Sequence, residues 1–151
     1  MVDQASAFIS YRREHFERAR LIRDGLRKRK IDAFLDVDEL HAGLFDERIL
    51  AEISQRGFFV PVLAPGSLLR CWRKGDWLWL EIEHAYRGAR TFVPVLAKGF
   101  DQSELRRLPP ELERTIRRSQ SIRLDDADLF DARLDRLASL IKDAPRITAK
   151  V

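Results

Sequence analysis

The hexapeptide Phe-Val-Pro-Val-Leu-Ala occurs twice in the chain, at residues 59–64 and 92–97, and it decides the fold. Each copy is apolar, follows a stretch with helical spacing and precedes a turn, which is the pattern of a buried strand in a parallel sheet. Proline removes a hydrogen-bond donor from a strand, so we expect the ladder to be broken at Pro61 and Pro94. Because the period does not continue, the two copies are equivalent strand–helix units rather than part of a repeat array.

Short strands alternate with amphipathic helices on both sides of these two units. Further strands are predicted at residues 7–11, 31–35 and 121–124, and helices at residues 14–30, 46–56, 76–88 and 130–141. Residues 108–111, which include two prolines, are predicted to lie in a long connection between strands. Alternation of this kind, with right-handed crossovers, predicts an α/β fold, a flavodoxin-like three-layer sandwich around a five-stranded parallel sheet.

Ligands of such sheets bind beyond the carboxyl ends of the strands. That rule directs attention to four segments of the chain, which are Ser10–Arg13, Asp36–Phe45, Ala64–Trp77 and Ala97–Asp101.

The length of 151 residues fits one domain of ordinary size. We expect residues 1–144 to form it and residues 145–151 to be a tail or linker. Cys71 is the single cysteine, so an intrachain disulfide is impossible. No signal peptide and no apolar run of membrane-spanning length is visible, which predicts a cytoplasmic protein without a membrane partner.

The net charge of +4 raises the question of nucleic-acid binding. The basic residues are interleaved with 24 acidic ones, and the one compact basic run, residues 27–30, falls at a predicted helix end where it complements the helix dipole. We therefore expect no nucleic-acid partner. Glycine-rich phosphate motifs are missing and the three histidines are scattered, so no metal or cofactor is predicted.

The predicted helix at residues 76–88 carries an unusual pairing of tryptophans with carboxylates. Trp77 and Glu81 lie four residues apart on one flank, and Trp79 and Glu83 lie four apart on the other. A carboxylate beside an indole is partly desolvated, which strengthens its field on a bound cation. Spacing alone does not choose between Glu81 and Glu83. Two solvated glutamates on an amphipathic helix remain the alternative.

The segment Asp36–Phe45 joins an acidic run to apolar residues. It can be read as an exposed acidic connection or as a loop that contacts a ligand or a neighbouring protein, with Gly43 as the expected left-handed residue. Leu40, Leu44 and Phe45 make it more apolar than solubility requires, which favours a contact.

Five blocks in order resemble Toll/interleukin-1 receptor (TIR) domains of the NAD-cleaving subgroup, found in an animal axon-degeneration NADase and in bacterial antiphage effectors. The resemblance covers about residues 6–141, and these blocks carry it. They are Phe8–Arg13, Phe34–Leu40 followed by Ala42–Phe45, Phe59–Gly66, Asp76–Ala85 and Phe92–Leu96.

The resemblance implies a role for each matching position. Glu81 stands at the catalytic glutamate, and Trp77 at the aromatic residue that lines the nicotinamide–ribose pocket. Glu83 has no counterpart and is assigned to the solvated face. The remaining positions implied to bind substrate follow the first two strands, and those after the second belong to the BB loop. They are Tyr11, Arg12, Arg13, Asp36, Gly43 and Phe45.

The function implied by the resemblance is that of an NAD+ nucleosidase. It would release nicotinamide and ADP-ribose or cyclic ADP-ribose in innate immune or antiphage defence. The resemblance further implies activation by self-association through the BB loop, residues 36–45, with a fused or associated sensor domain. The main alternative is a non-enzymatic TIR adaptor, which needs the same fold but not Glu81. A nucleoside-processing transferase of related architecture ranks behind it, and a nucleic-acid binder comes last.

Overall fold

The computed structural model describes residues 2–35, 47–71, 76–125 and 127–143, and within these ranges it has six parallel strands and five α-helices. The predicted loop at 36–45 and the tail at 145–151 lie outside these ranges. The strands are β1 Asp3–Ser10, β2 Asp32–Leu35, β3 Arg56–Leu63, β4 Thr91–Phe92, β5 Val95–Ala97 and β6 Ile122–Leu124. The helices are α1 Phe16–Lys28, α2 Glu47–Gln55, α3 Trp77–Arg87, α4 Pro110–Arg118 and α5 Phe130–Lys142.

The strand order is β2-β1-β3-β5-β6, with β4 also paired to β3. Every pairing is parallel. Because β4 and β5 are the two halves of one predicted strand, the sheet has five positions in the flavodoxin-like order. The predicted fold class is confirmed.

The two prolines of the repeated hexapeptide behave differently. The ladder is broken at Pro94, as predicted, because β4 ends at Phe92 and β5 begins at Val95. At Pro61 the strand itself continues, because Pro61 pairs with Ser10 of β1, while the ladder on the opposite side of β3 is interrupted between Phe59 and Val62. β3 pairs with β4 as far as Phe59 and with β5 from Val62, so Pro61 falls where neither strand requires a donor from it.

Two apolar clusters lie on opposite faces of the sheet and give the molecule three layers. One cluster packs α1 and α5 on the sheet through residues such as Ile22 and Leu134. The other packs α2, α3 and α4 through residues such as Ile53, Ile82 and Ile116. Within the described ranges, no helix is long and apolar enough to cross a membrane.

Helix α4 was not predicted, because the prolines at 109 and 110 were taken only as punctuation of a connection. Pro110 is the first residue of the helix, where a backbone N–H has no partner within the helix and the fixed φ of proline suits the turn. Leu112 and Ile116, four residues apart, are buried against the sheet. A 3-10 helix at Gln102–Arg107 precedes α4 in the same connection.

Strand β1 carries Ser10 to the carboxyl edge of the sheet. It lies between β2 and β3 in the middle of the sheet. Ala7 and Ile9 face the cluster under α1 and α5, and Phe8 faces the cluster under α2, α3 and α4. Successive side chains alternate between faces, so Ser10 points to the same side as Phe8, toward α3.

Candidate active site

Glu81 is a buried carboxylate at the carboxyl edge of the sheet. It lies in the second turn of α3, on the same side as the core residues Leu78 and Ile82, and it is only 8% exposed. The hydroxyl of Ser10, the last residue of β1, donates a hydrogen bond of 2.5 Å to Glu81 Oε1. Burying a carboxylate costs free energy unless hydrogen-bond donors meet it. The fold supplies such a donor here by bringing Ser10 of β1 to Glu81 of α3.

The other flank of α3 has a different character. Trp79 packs against the apolar cluster, and Glu83 is 32% exposed and bonds to Arg87 one turn later at 3.0 Å. This is an ordinary surface pair between residues four apart on a helix. The two glutamates that spacing could not separate therefore lie in distinct environments.

The beginning of α3 is fixed to the end of β1 by a buried ion pair. The guanidinium of Arg12 bonds to both carboxylate oxygens of Asp76, and both side chains are at least nine-tenths buried. Arg12 Nε also donates to the carbonyl of Ser67 at 2.8 Å. Asp76 caps α3, as predicted, by accepting the N–H of Trp79 at 3.1 Å. The same carboxylate thus caps the helix and fastens it to the sheet.

A cleft of about 440 Å³ opens beside this ion pair. Trp77, the first residue of α3, forms part of its wall, and Glu81 lies one helical turn further along. The described lining carries one more cation than anion, which suits a ligand with negative groups. The lining residues are Tyr11, Arg12, Arg13, Glu14, Arg70, Asp76, Trp77 and Leu78.

The structure brings together some of the residues predicted to bind substrate. Tyr11, Arg12, Arg13 and Trp77 all line the cleft. Tyr11 also contacts the ring of Phe16, with 6.1 Å between centroids. Asp36, Gly43 and Phe45 lie outside the described residues, so their substrate-binding roles stay predictions.

Three residues of this site were not predicted to contribute to it. Ser10 was within a segment marked for attention but unassigned, Asp76 was predicted only as a helix cap, and Arg70 was not singled out. Arg70 lines the cleft and bonds to Glu14 at 2.5 Å on its exposed rim. Each depends on a contact across more than fifty residues of sequence, which local patterns do not show.

Cys71 is buried behind the ion pair and serves as packing. Burial raises the pKa of its thiol from the ordinary value of 9.0 to about 12, and the nearby Arg12 only partly offsets this. The thiol is therefore protonated at neutral pH and is a poor nucleophile. Among the described residues, no group of three metal-ligating side chains comes together.

The Cys71 thiol should make the protein less stable in alkali. Between pH 9 and pH 12 the unfolded chain has lost this proton and the folded chain keeps it, so the free energy of unfolding falls as pH rises. One proton contributes a slope of about 1.4 kcal/mol per pH unit. Urea unfolding across this range should show that slope reduced in Cys71→Ala. An identical slope in both proteins would refute the assignment.

The fold and site define the class, an α/β domain with a buried carboxylate at the carboxyl edge of its parallel sheet. The TIR-domain family model matches residues 7–138, so the chain belongs to the TIR-domain family. It is 31% identical over 160 residues to the NAD(+) hydrolase sarm1 of Drosophila melanogaster, an alignment that covers 96% of this chain and 12% of that protein.

Two further relatives carry similar names. The NAD(+) hydrolase tir-1 of Caenorhabditis elegans is 35% identical over 65% of this chain and 10% of its own length. The NAD(+) hydrolase SARM1 of Danio rerio is 35% identical over 58% of this chain and 13% of its own length. The chain thus spans only about a tenth of the length of the curated relatives it matches.

Solved structures agree on the fold. A metazoan TIR-STING receptor from C. gigas, in complex with 2',3'-cGAMP, matches 92% of this chain and 41% of its own with a TM-score of 0.63 and 22% identity. The TIR domains of the activated Roq1 resistosome match 89% of this chain and 84% of their own with a TM-score of 0.50 and 21% identity.

Proposed function

We propose that this chain is an NAD+ nucleosidase that cleaves the nicotinamide–ribose bond, with Glu81 as the catalytic carboxylate. The observation that carries the proposal is the placement of Glu81, buried at the carboxyl edge of the sheet and one turn from the cleft that Trp77 lines. The names of the relatives, all NAD(+) hydrolases, support the same activity.

The chemistry requires only one carboxylate. Nicotinamide departs from a pyridinium as a neutral molecule, so no acid must protonate it. Positive charge moves to the ribose in an oxocarbenium-like transition state, which an ionised carboxylate stabilises. Water then gives ADP-ribose, or a nucleophile within the substrate gives cyclic ADP-ribose.

The roles of the other residues follow from their positions. Trp77 is suited to pack against the nicotinamide–ribose end of the substrate, because it lines the cleft and lies one helical turn before Glu81. Tyr11, Arg12 and Arg13 remain the proposed substrate-binding residues of the described part, and Arg13 places positive charge at the cleft for the diphosphate. Asp36, Gly43 and Phe45 complete the proposed set.

Activation by self-association through residues 36–45 is part of the proposal. That segment begins where β2 ends, at the carboxyl edge of the sheet. A groove of about 450 Å³ lies at the opposite edge, where Phe58, Phe92, Val93 and Leu140 make it largely apolar. The proposed contact would join residues 36–45 of one copy to this groove of the next, a head-to-tail arrangement that builds rings or open filaments rather than two-fold dimers.

Residues 145–151 are proposed as a linker to a sensor domain. A role in innate immune or antiphage defence stays a prediction, as does a cytoplasmic location. The non-enzymatic adaptor remains the alternative function. It would share the assembly and lack the cleavage.

Nicotinamide release from NAD separates the enzyme from the adaptor. We expect release by the wild-type chain, with a rate per molecule that rises with protein concentration as copies associate. Chromatography of nicotinamide over a hundredfold range of protein concentration measures both. No release at any concentration would favour the adaptor, and a constant rate per molecule would refute activation by assembly.

A further inference from the structure

The hydroxyl of Ser10 donates a hydrogen bond to the carboxylate of Glu81, although 71 residues separate the two in the sequence. Ser10 is 1% exposed and Glu81 is 8% exposed, so little water competes for the bond. The distance of 2.5 Å is at the short end for a hydroxyl that donates to an ionised oxygen. A short, buried contact of this kind belongs to the strong, charge-assisted class of hydrogen bonds when the carboxylate is ionised.

The backbone at Ser10 is held by strand pairing with β3 and by the ion pair of Arg12, which follows it in the chain. β1 is an interior strand, and Ser10 pairs in register with Pro61 of β3. Two residues further along the chain, Arg12 is paired with Asp76. The hydroxyl of Ser10 is therefore held in place, and it can orient the longer and more flexible side chain of Glu81.

We propose that Ser10 is a positioning residue that holds the ionised carboxylate of Glu81 in its working orientation, an inference that rests on the proposed NAD+ cleavage. A hydroxyl that donates to Glu81 favours the charged form over the protonated one. It also fixes which oxygen faces the sheet and hence the direction of the carboxylate plane. Neighbouring charges on α3 are engaged elsewhere, Asp76 with Arg12 and Glu83 with Arg87.

The test compares Ser10→Ala with Ser6→Ala, a matched control. Ser6 lies on the same strand, is fully buried and donates its hydroxyl to the backbone carbonyl of Asp3 at 2.7 Å, remote from Glu81. For Ser10→Ala we expect kcat for nicotinamide release to fall about tenfold to hundredfold with KM nearly unchanged. The acidic limb of the pH–kcat profile should move to higher pH, and Ser10→Thr, which keeps a hydroxyl, should restore most of both.

A purely structural contact would lower stability equally in both alanine variants and leave the acidic limb in place. Equal kcat and equal acidic limbs for Ser10→Ala and Ser6→Ala would therefore overturn the proposal.

A second readout separates this inference from the proposed activity. The side-chain carboxyl carbon of Glu81, identified by its loss in Glu81→Gln, can be titrated by carbon NMR. Its midpoint should rise in Ser10→Ala and stay in Ser6→Ala. An unmoved midpoint refutes the role of Ser10 whatever the activity. A raised midpoint in a chain that releases no nicotinamide refutes the proposed function and leaves the contact standing.

Discussion

Arg12→Met should lower the free energy of unfolding by about 3–5 kcal/mol, the cost of leaving one member of a buried ion pair without its partner. Asp76 would keep its negative charge in a position that is nine-tenths buried. For a chain of this size the melting temperature should fall on the order of 10 °C. Urea unfolding followed by circular dichroism measures the change.

Two further variants make this expectation specific. Adding Asp76→Asn to Arg12→Met should recover part of the stability, because asparagine still caps α3 and no longer buries a charge. Arg87→Met breaks only the exposed pair with Glu83 and should cost less than about 1 kcal/mol. If Arg12→Met costs no more than Arg87→Met, the pair does not fasten α3 to the sheet.

Glu81→Gln should reduce kcat for nicotinamide release about a thousandfold. Glutamine matches glutamate in size and can still accept the hydroxyl of Ser10, so the change removes charge and little else. The loss follows because a neutral amide does not stabilise the positive ribose in the transition state. Steady-state rates at one protein concentration measure it, with circular dichroism to show that the variant is folded.

Glu83→Gln is the matched control on the same helix. Glu83 is paired with Arg87 at the surface, and its charge lies on the other flank of α3 from Glu81. We expect its kcat to stay within about twofold, since an exposed pair is worth little. A large loss of kcat in Glu83→Gln with none in Glu81→Gln would show that Glu83, and not Glu81, is the catalytic carboxylate.

The layers and strand order of this fold were predictable because its strands are short, apolar and spaced by amphipathic helices. Periodicity reports which residues face a core, and it therefore located α3 and α5. Helix α4 escaped because proline is ambiguous, since it ends some helices and begins others. The predicted break at Pro61 is present only on the side of β4 and β5, because pairing with β1 continues through that residue.

The site was less predictable, because it is built from long-range contacts. The spacing of Trp77 and Glu81 equals that of Trp79 and Glu83, so helical geometry could not choose between the two glutamates. The family resemblance made that choice, and the fold shows the physical difference, a buried carboxylate on one side and a surface pair on the other. Arg12 reads in sequence as one of many surface cations, and only its contact with Asp76 shows that it is buried.

The central claim is that the chain cleaves the nicotinamide–ribose bond of NAD and that cleavage requires the negative charge of Glu81. NAD incubated with the wild-type chain, at a protein concentration that allows association, should yield nicotinamide together with ADP-ribose or its cyclic form. The same amount of folded Glu81→Gln should leave the NAD almost intact. Equal nicotinamide release by the two proteins would contradict the account.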